Sequence, residues 1–190
     1  MKSLHARDYK RMPWKNGGGE TVEIAIFPAD ASVETFEWRI SMATVANDGP
    51  FSIFPGIDRT LSILQGNGMA LAIENDNPAL LTKASPPLPF PADVRVHATL
   101  PDGAIVDLNV MTRRDTWRHS VHRHVGPLSS AEITATQTLL LAVGPVTVSG
   151  AGAAHHLKDM DALMLETGVN ISVLPDRPGG TYFLIELIRL

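Results

Sequence analysis

Thr21-Val22-Glu23-Ile24-Ala25-Ile26-Phe27 and Phe36-Glu37-Trp38-Arg39-Ile40-Ser41-Met42 both alternate with a period of two. That period places successive side chains on opposite faces of an extended chain, which is the mark of a β-strand. Working outward, strand-like segments recur at 59–65, 69–74, 94–100, 105–111, 137–143, 146–149, 162–166, 170–173 and 181–188. They are bounded by Gly66-Asn67-Gly68, Pro101-Asp102-Gly103, Gly144-Pro145 and Pro178-Gly179-Gly180, all turn-forming combinations. No segment reads as a long capped amphipathic helix, and residues 3–12 are open to either reading. Many short strands with regular turns predict an all-β sandwich or barrel. Two stretches break the rhythm. Residues 77–91 read as a loop because of their prolines, and the polar, Arg- and His-bearing stretch 112–132 reads as a solvated connector.

The 190-residue chain has 44% hydrophobic and 19% charged residues, a net charge of −4 and no cysteine. Its length allows one or two domains with a substantial core. Absence of Cys excludes disulfides, thiolate metal sites and a cysteine nucleophile. No apolar run approaches the ~20 residues of a membrane helix, and the N-terminus has no apolar signal segment. A cytoplasmic protein with no nucleic-acid or membrane partner is the expectation.

A weak internal repeat divides the chain. Gly66, Asp93, Gly103 and the strand from Asp107 to Met111 are followed, in the same order, by Gly144, Asp161, Gly168 and the strand from Tyr182 to Ile188. Several constellations bear on chemistry. In Pro13-Trp14-Lys15-Asn16-Gly17-Gly18-Gly19 the glycines permit an anion-binding nest, with Lys15 and Asn16 as donors; a plain loop is the competing reading. Arg39 and Ser41 share one strand face, opposite Trp38. Asp107, Asn109 and Met111 share another, a combination that suits a partly polar cavity. Arg59 is either a rim partner of Asp58 or an inward carboxylate clamp. His119, His122 and His124 lack acidic partners apart from Asp115, and His155-His156 point two ways, so metal ligation is not expected.

Together, Pro13-Trp14-Lys15-Asn16-Gly17-Gly18-Gly19-x-Thr21-x-Glu23-Ile24, Phe36-x-Trp38-Arg39-x-Ser41, Asp48-Gly49-Pro50-Phe51-Ser52-x-Phe54-Pro55-Gly56-x-Asp58-Arg59 and Asp107-Leu108-Asn109-Val110-Met111-x-Arg113-Arg114 resemble the HutD/Ves family. The resemblance implies a bicupin, two RmlC-like cupin β-barrels (jelly-roll halves) in one chain. Residues 1–114 would form the first barrel, with a ligand pocket. Residues 115–190 would form the second, packed on the first as one unit. Such proteins often accompany bacterial histidine-utilisation genes and are thought to restrain that pathway by binding an intermediate, without established catalysis. Metal-binding cupins resemble His-x-His followed by Glu and a closing Gly. Setting that glycine at Gly66 puts Arg59 where the metal-binding Glu stands and Ser52 and Phe54, or Ile53 and Pro55, at the His positions.

The expectation is therefore a metal-free, cofactor-free site for a small carboxylate such as urocanate or a formylated glutamate, with no catalytic residue. Its ligand-binding residues would be Arg59, Asn16, Gly17, Gly18 and Asn109, with Lys15, Arg39 and Ser41 ranked second; a homodimer is compatible with it. The alternatives are an enzyme on a small acid (isomerase, lyase or metal-dependent oxygenase) and a protein-interaction module using residues 112–132.

Overall fold

A computed structural model describes residues 1–15 and 17–190. Among them the only helix is a three-residue 3-10 turn, Ala6–Asp8, and the rest is strand and turn. The chain divides into two compact units. One comprises Lys10–Arg118 with Leu190; the other comprises Met1–Tyr9 with His119–Arg189. The division thus differs from one at 114/115: it falls after Arg118, and the first nine residues join the C-terminal unit. No helix among the described residues is long and apolar enough to cross a membrane.

The first unit pairs a six-stranded with a four-stranded antiparallel sheet. In spatial order the larger runs Lys10–Pro13, Gly19–Phe27, Trp38–Val45, Ile105–Arg113, Ile57–Gln65 and Leu88–Pro91. The smaller runs Gly49–Pro50, Val96–Thr99, Met69–Ile73 and Ala79–Leu81. Ala43, Val45, Leu61, Ile63 and Ile105 from the larger sheet meet Met69, Leu71, Val96 and Ala98 from the smaller in one buried cluster. Alternation then places Arg39 and Ser41, Arg59, and Asp107, Asn109 and Met111 on this same inward face. The Trp38, Ile40 and Met42 face is buried as well.

Residues 77–91 are not wholly a loop. Ala79–Leu81 and Leu88–Pro91 are both edge strands. Proline lacks a donor, but an edge strand can turn that side away from the ladder, so Pro89 and Pro91 are tolerated. The glycine run has a steric reason. Gly17 has φ +69°, and a Cβ on Gly19 would lie 2.0 Å from the Thr44 carbonyl oxygen.

In the second unit one sheet is ordered Lys2–Leu4, Ala162–Leu165, Gln137–Val143, Thr181–Arg189, Trp117–Val125. The other is ordered Leu128–Glu132, Asn170–Pro175, Val146–Gly150, Ala153–Leu157. The stretch 112–132 is therefore mostly strand, a second correction to the sequence reading. Its alternation escapes hydropathy because Ser120, His122 and His124 are polar on one face.

Asp161, 5% exposed, fastens the N-terminal segment to this unit. It accepts the Ala6 amide at 2.8 Å and the Lys158 amide at 3.1 Å, and lies 3.4 Å from His5 Nδ1. Burial pushes its pKa up, but these donors prevail and hold the carboxyl below its ordinary value. Asp161→Ala is expected to cost about 2–3 kcal/mol in denaturant melts. Because the folded pKa is depressed, that contribution is present above the unfolded pKa and is lost as pH falls through the folded one.

Candidate functional site

The site sits on the inward face of the six-stranded sheet. Cross-strand register lines up Ile26, Arg39, Met111, Arg59 and Phe90 in one row. The next row holds Ser41, Asn109 and Leu61; the one beyond holds Ala43, Asp107 and Ile63. Phe36, Ile57, Ala92 and Met111 form a small buried cluster at the Arg59 end, with Phe54 packed against it.

Arg59 is 6% exposed. Its guanidinium carbon lies 5.2 Å from the Phe51 ring centroid, 5.3 Å from that of Phe54 and 5.9 Å from that of Phe90. Its Nε has no hydrogen-bond partner. Ring faces attract a cation but cannot accept a directional N–H bond as an oxygen does. Burial pulls the Arg59 pKa down to about 10, Asp107 opposes the fall and Arg39 adds to it. Arg59 still carries its charge at neutral pH.

Asp107 is 1% exposed. Burial pushes its pKa up to about 7, against the opposing pull of Arg59, the Asn109 amide and the Ala43 N–H. The Asn109 Nδ2 donates to Asp107 Oδ1 at 2.7 Å. The inward face thus holds a buried cation with an idle donor and a carboxyl that changes charge near neutrality.

Arg39 is differently engaged. Its Nε donates to Glu23 Oε2 at 2.7 Å, and both side chains are largely buried. Arg39 and Ser41 lie on the site face, but the Arg39 Nε is committed to that pair rather than open to an anion.

Lys15, Gly17 and Gly18 are elsewhere. Gly19 pairs with Val45, six residues along the strand from Arg39, or about 20 Å at strand rise. The Gly17 N–H donates to the Trp14 carbonyl, and the Gly18 carbonyl accepts the Ala46 N–H at 3.0 Å. The loop therefore closes a turn at the opposite end of the strand and does not join Arg59. Asn16 lies outside the described residues.

Asp58 is no partner of Arg59. It accepts Arg114 Nε at 2.8 Å, while Arg114 Nη1 and Nη2 reach both oxygens of Asp93 at 3.0 and 3.2 Å. Asp93 also accepts the Gly56 N–H at 3.3 Å, and the Arg114 amide donates to the Gly56 carbonyl. This clamp fixes the turn after Phe51 and Phe54, so Arg114 is a positioning residue. Arg114→Ala is expected to loosen this turn and lower the melting temperature, since the forked contact to Asp93 is lost. A thermal melt of the variant beside wild type reads that change.

Reading the sequence alone missed Phe90, Glu23 and the part Asp107 plays. Asp107 was within reach through its alternation with Asn109.

The HutD family profile matches residues 6–182. The chain belongs to the HutD family. It is 35% identical over 194 aligned positions to an uncharacterized 21.2 kDa protein in the hutC 3′ region of Pseudomonas putida, covering 99% of this chain and 97% of that one. Protein Ves of Citrobacter koseri is 42% identical over 118 residues, 60% of each chain. HutD from Pseudomonas fluorescens SBW25 (formate condition) superposes with TM-score 0.85 at 32% identity, covering 100% and 98% of the two chains. A cupin 2 conserved barrel protein from Leptotrichia buccalis, 12% identical over 93% and 95% of the chains, shares the fold with TM-score 0.58. The all-β architecture expected from the strand pattern, and the cupin fold implied by the HutD/Ves resemblance, are the observed ones.

Proposed function

We propose that this HutD-family protein binds a small carboxylate metabolite at Arg59 without turning it over, and that occupancy moderates histidine utilisation. The observation carrying this reading is the buried Arg59 Nε, unpartnered among three phenylalanines. Buried polar groups are nearly always paired, and an idle guanidinium donor is matched best by a planar oxyanion. The hutC 3′ region location of the P. putida relative supports the pathway.

Urocanate and formylglutamate-type ligands are the first to test. Asn109 and Ser41 line the row beside Arg59 and would meet the remainder of such a molecule, with Asp107 beyond them. Titration calorimetry against both compounds is expected to give saturable heat. The amide analogues, which lack the charge, are expected to give none. Absence of heat at millimolar carboxylate refutes the reading.

A further inference from the structure

The second unit repeats the site's topology with different chemistry. In the first unit, the strand that ends at Gly66 pairs with Ile105–Arg113 so that Arg59 opposes Met111. In the second, the strand that ends at Gly144 pairs with Thr181–Arg189 so that Thr138 opposes Glu186. Leu140, Ala142, Tyr182 and Leu184 belong to this unit's core. By alternation Thr138 and Glu186 therefore face inward too.

On the neighbouring strand, Ser120 Oγ donates to Glu186 Oε2 at 2.6 Å, and His122 Nε2 stands 3.7 Å from the same oxygen. The His124 ring stacks on Tyr182 at 5.1 Å and 5°. The His122 side chain is 57% exposed, so the cluster opens to solvent. Thr138 is 1% exposed, and its Oγ1 has no partner. That orphan hydroxyl, in register with Glu186, is the independent sign of an absent ligand atom. No group of three His, Asp or Glu side chains among the described residues is placed to hold a metal.

We infer that this inward cluster of the second unit is a separate binding site for a small organic ammonium. Glu186 supplies the negative charge, and Thr138 Oγ1 and a His122 ring nitrogen supply further acceptors. A primary ammonium offers three donors and a positive charge, which matches that set. Burial and the neighbouring His122 hold the His124 pKa below its ordinary value, so this ring adds no opposing charge at neutral pH. The inference uses no residue of the Arg59 site and stands or falls separately from it.

The test is an NMR titration of the full chain at pH 7.5 with n-butylamine, following the ring protons of His122 and His124. Butylammonium is expected to shift both saturably in the low-millimolar range, and n-butanol is not. Glu186→Gln, checked for an unchanged melt, is expected to weaken binding at least about tenfold. Thr138→Val, which removes only the orphan hydroxyl, is expected to weaken it several-fold, and Arg59→Met is expected to leave it unchanged. Shifts that grow linearly without saturating, or are matched by n-butanol, or persist in Glu186→Gln, overturn the inference.

Discussion

Replacing Arg59 by methionine is expected to abolish carboxylate binding, with at least a hundredfold loss of affinity, while the protein stays folded. The affinity loss follows from burial. A charge-assisted, forked contact in a desolvated site is worth several kcal/mol, and about 2.7 kcal/mol already corresponds to a hundredfold. Continued folding follows from the idle Nε. A buried donor without a partner costs about 1–3 kcal/mol, so methionine, which fills the phenylalanine cage without a polar atom, relieves a penalty. A rise or no change in melting temperature together with lost binding is the expected signature. Arg59→Lys keeps the charge but lacks the fork, and is expected to recover only a minor part of the affinity. A methionine variant that binds as wild type does would remove Arg59 from the site.

The second large effect is a pH dependence set by Asp107. Its folded pKa, about 7, lies above its unfolded value. The folded state therefore binds more protons between those values, and stability falls as pH rises from about 4 to about 7. Ligand binding adds to this. An anion held by Arg59 disfavours the Asp107 carboxylate, so binding takes up a proton once Asp107 is ionised. Affinity is then expected to be flat below pH 6 and to fall above pH 7, by up to roughly tenfold per pH unit. Titrations in buffers of different ionisation enthalpy read the proton uptake directly. In Asp107→Asn both the uptake and the slope are expected to vanish. A slope that survives in that variant assigns the linkage to another group.

The strands were legible because apolar residues recur every second position, as in Ile105–Arg113, where Leu108 and Val110 mark one face and Asp107, Asn109 and Met111 the other. Arg59 was singled out by the cupin resemblance, which sets it where a metal-binding Glu would stand, and its side chain is buried on the inward face. Four features were not legible. Periodicity does not tell which end of a strand a loop occupies, so Gly17 and Gly18 were grouped with Arg59 although they lie at the far end. The Arg39–Glu23 pair depends on a register shift between Glu23 and Ala25, which no single strand announces. Phe90 sits between two prolines that mask its edge strand. The second unit's cluster was hidden similarly, since Ser120, His122 and His124 carry no apolar signal and only pairing with Glu186 and Tyr182 turns them inward.

Whether Arg59 holds the ligand is decided by a crystal structure of the protein grown with saturating urocanate or formylglutamate. Ligand density is expected on the inward face of the first unit, with a carboxylate oxygen within hydrogen-bond distance of Arg59 Nε and the Phe51, Phe54 and Phe90 rings in place around it. A well-occupied ligand elsewhere, with Arg59 Nε still without a partner, would contradict it.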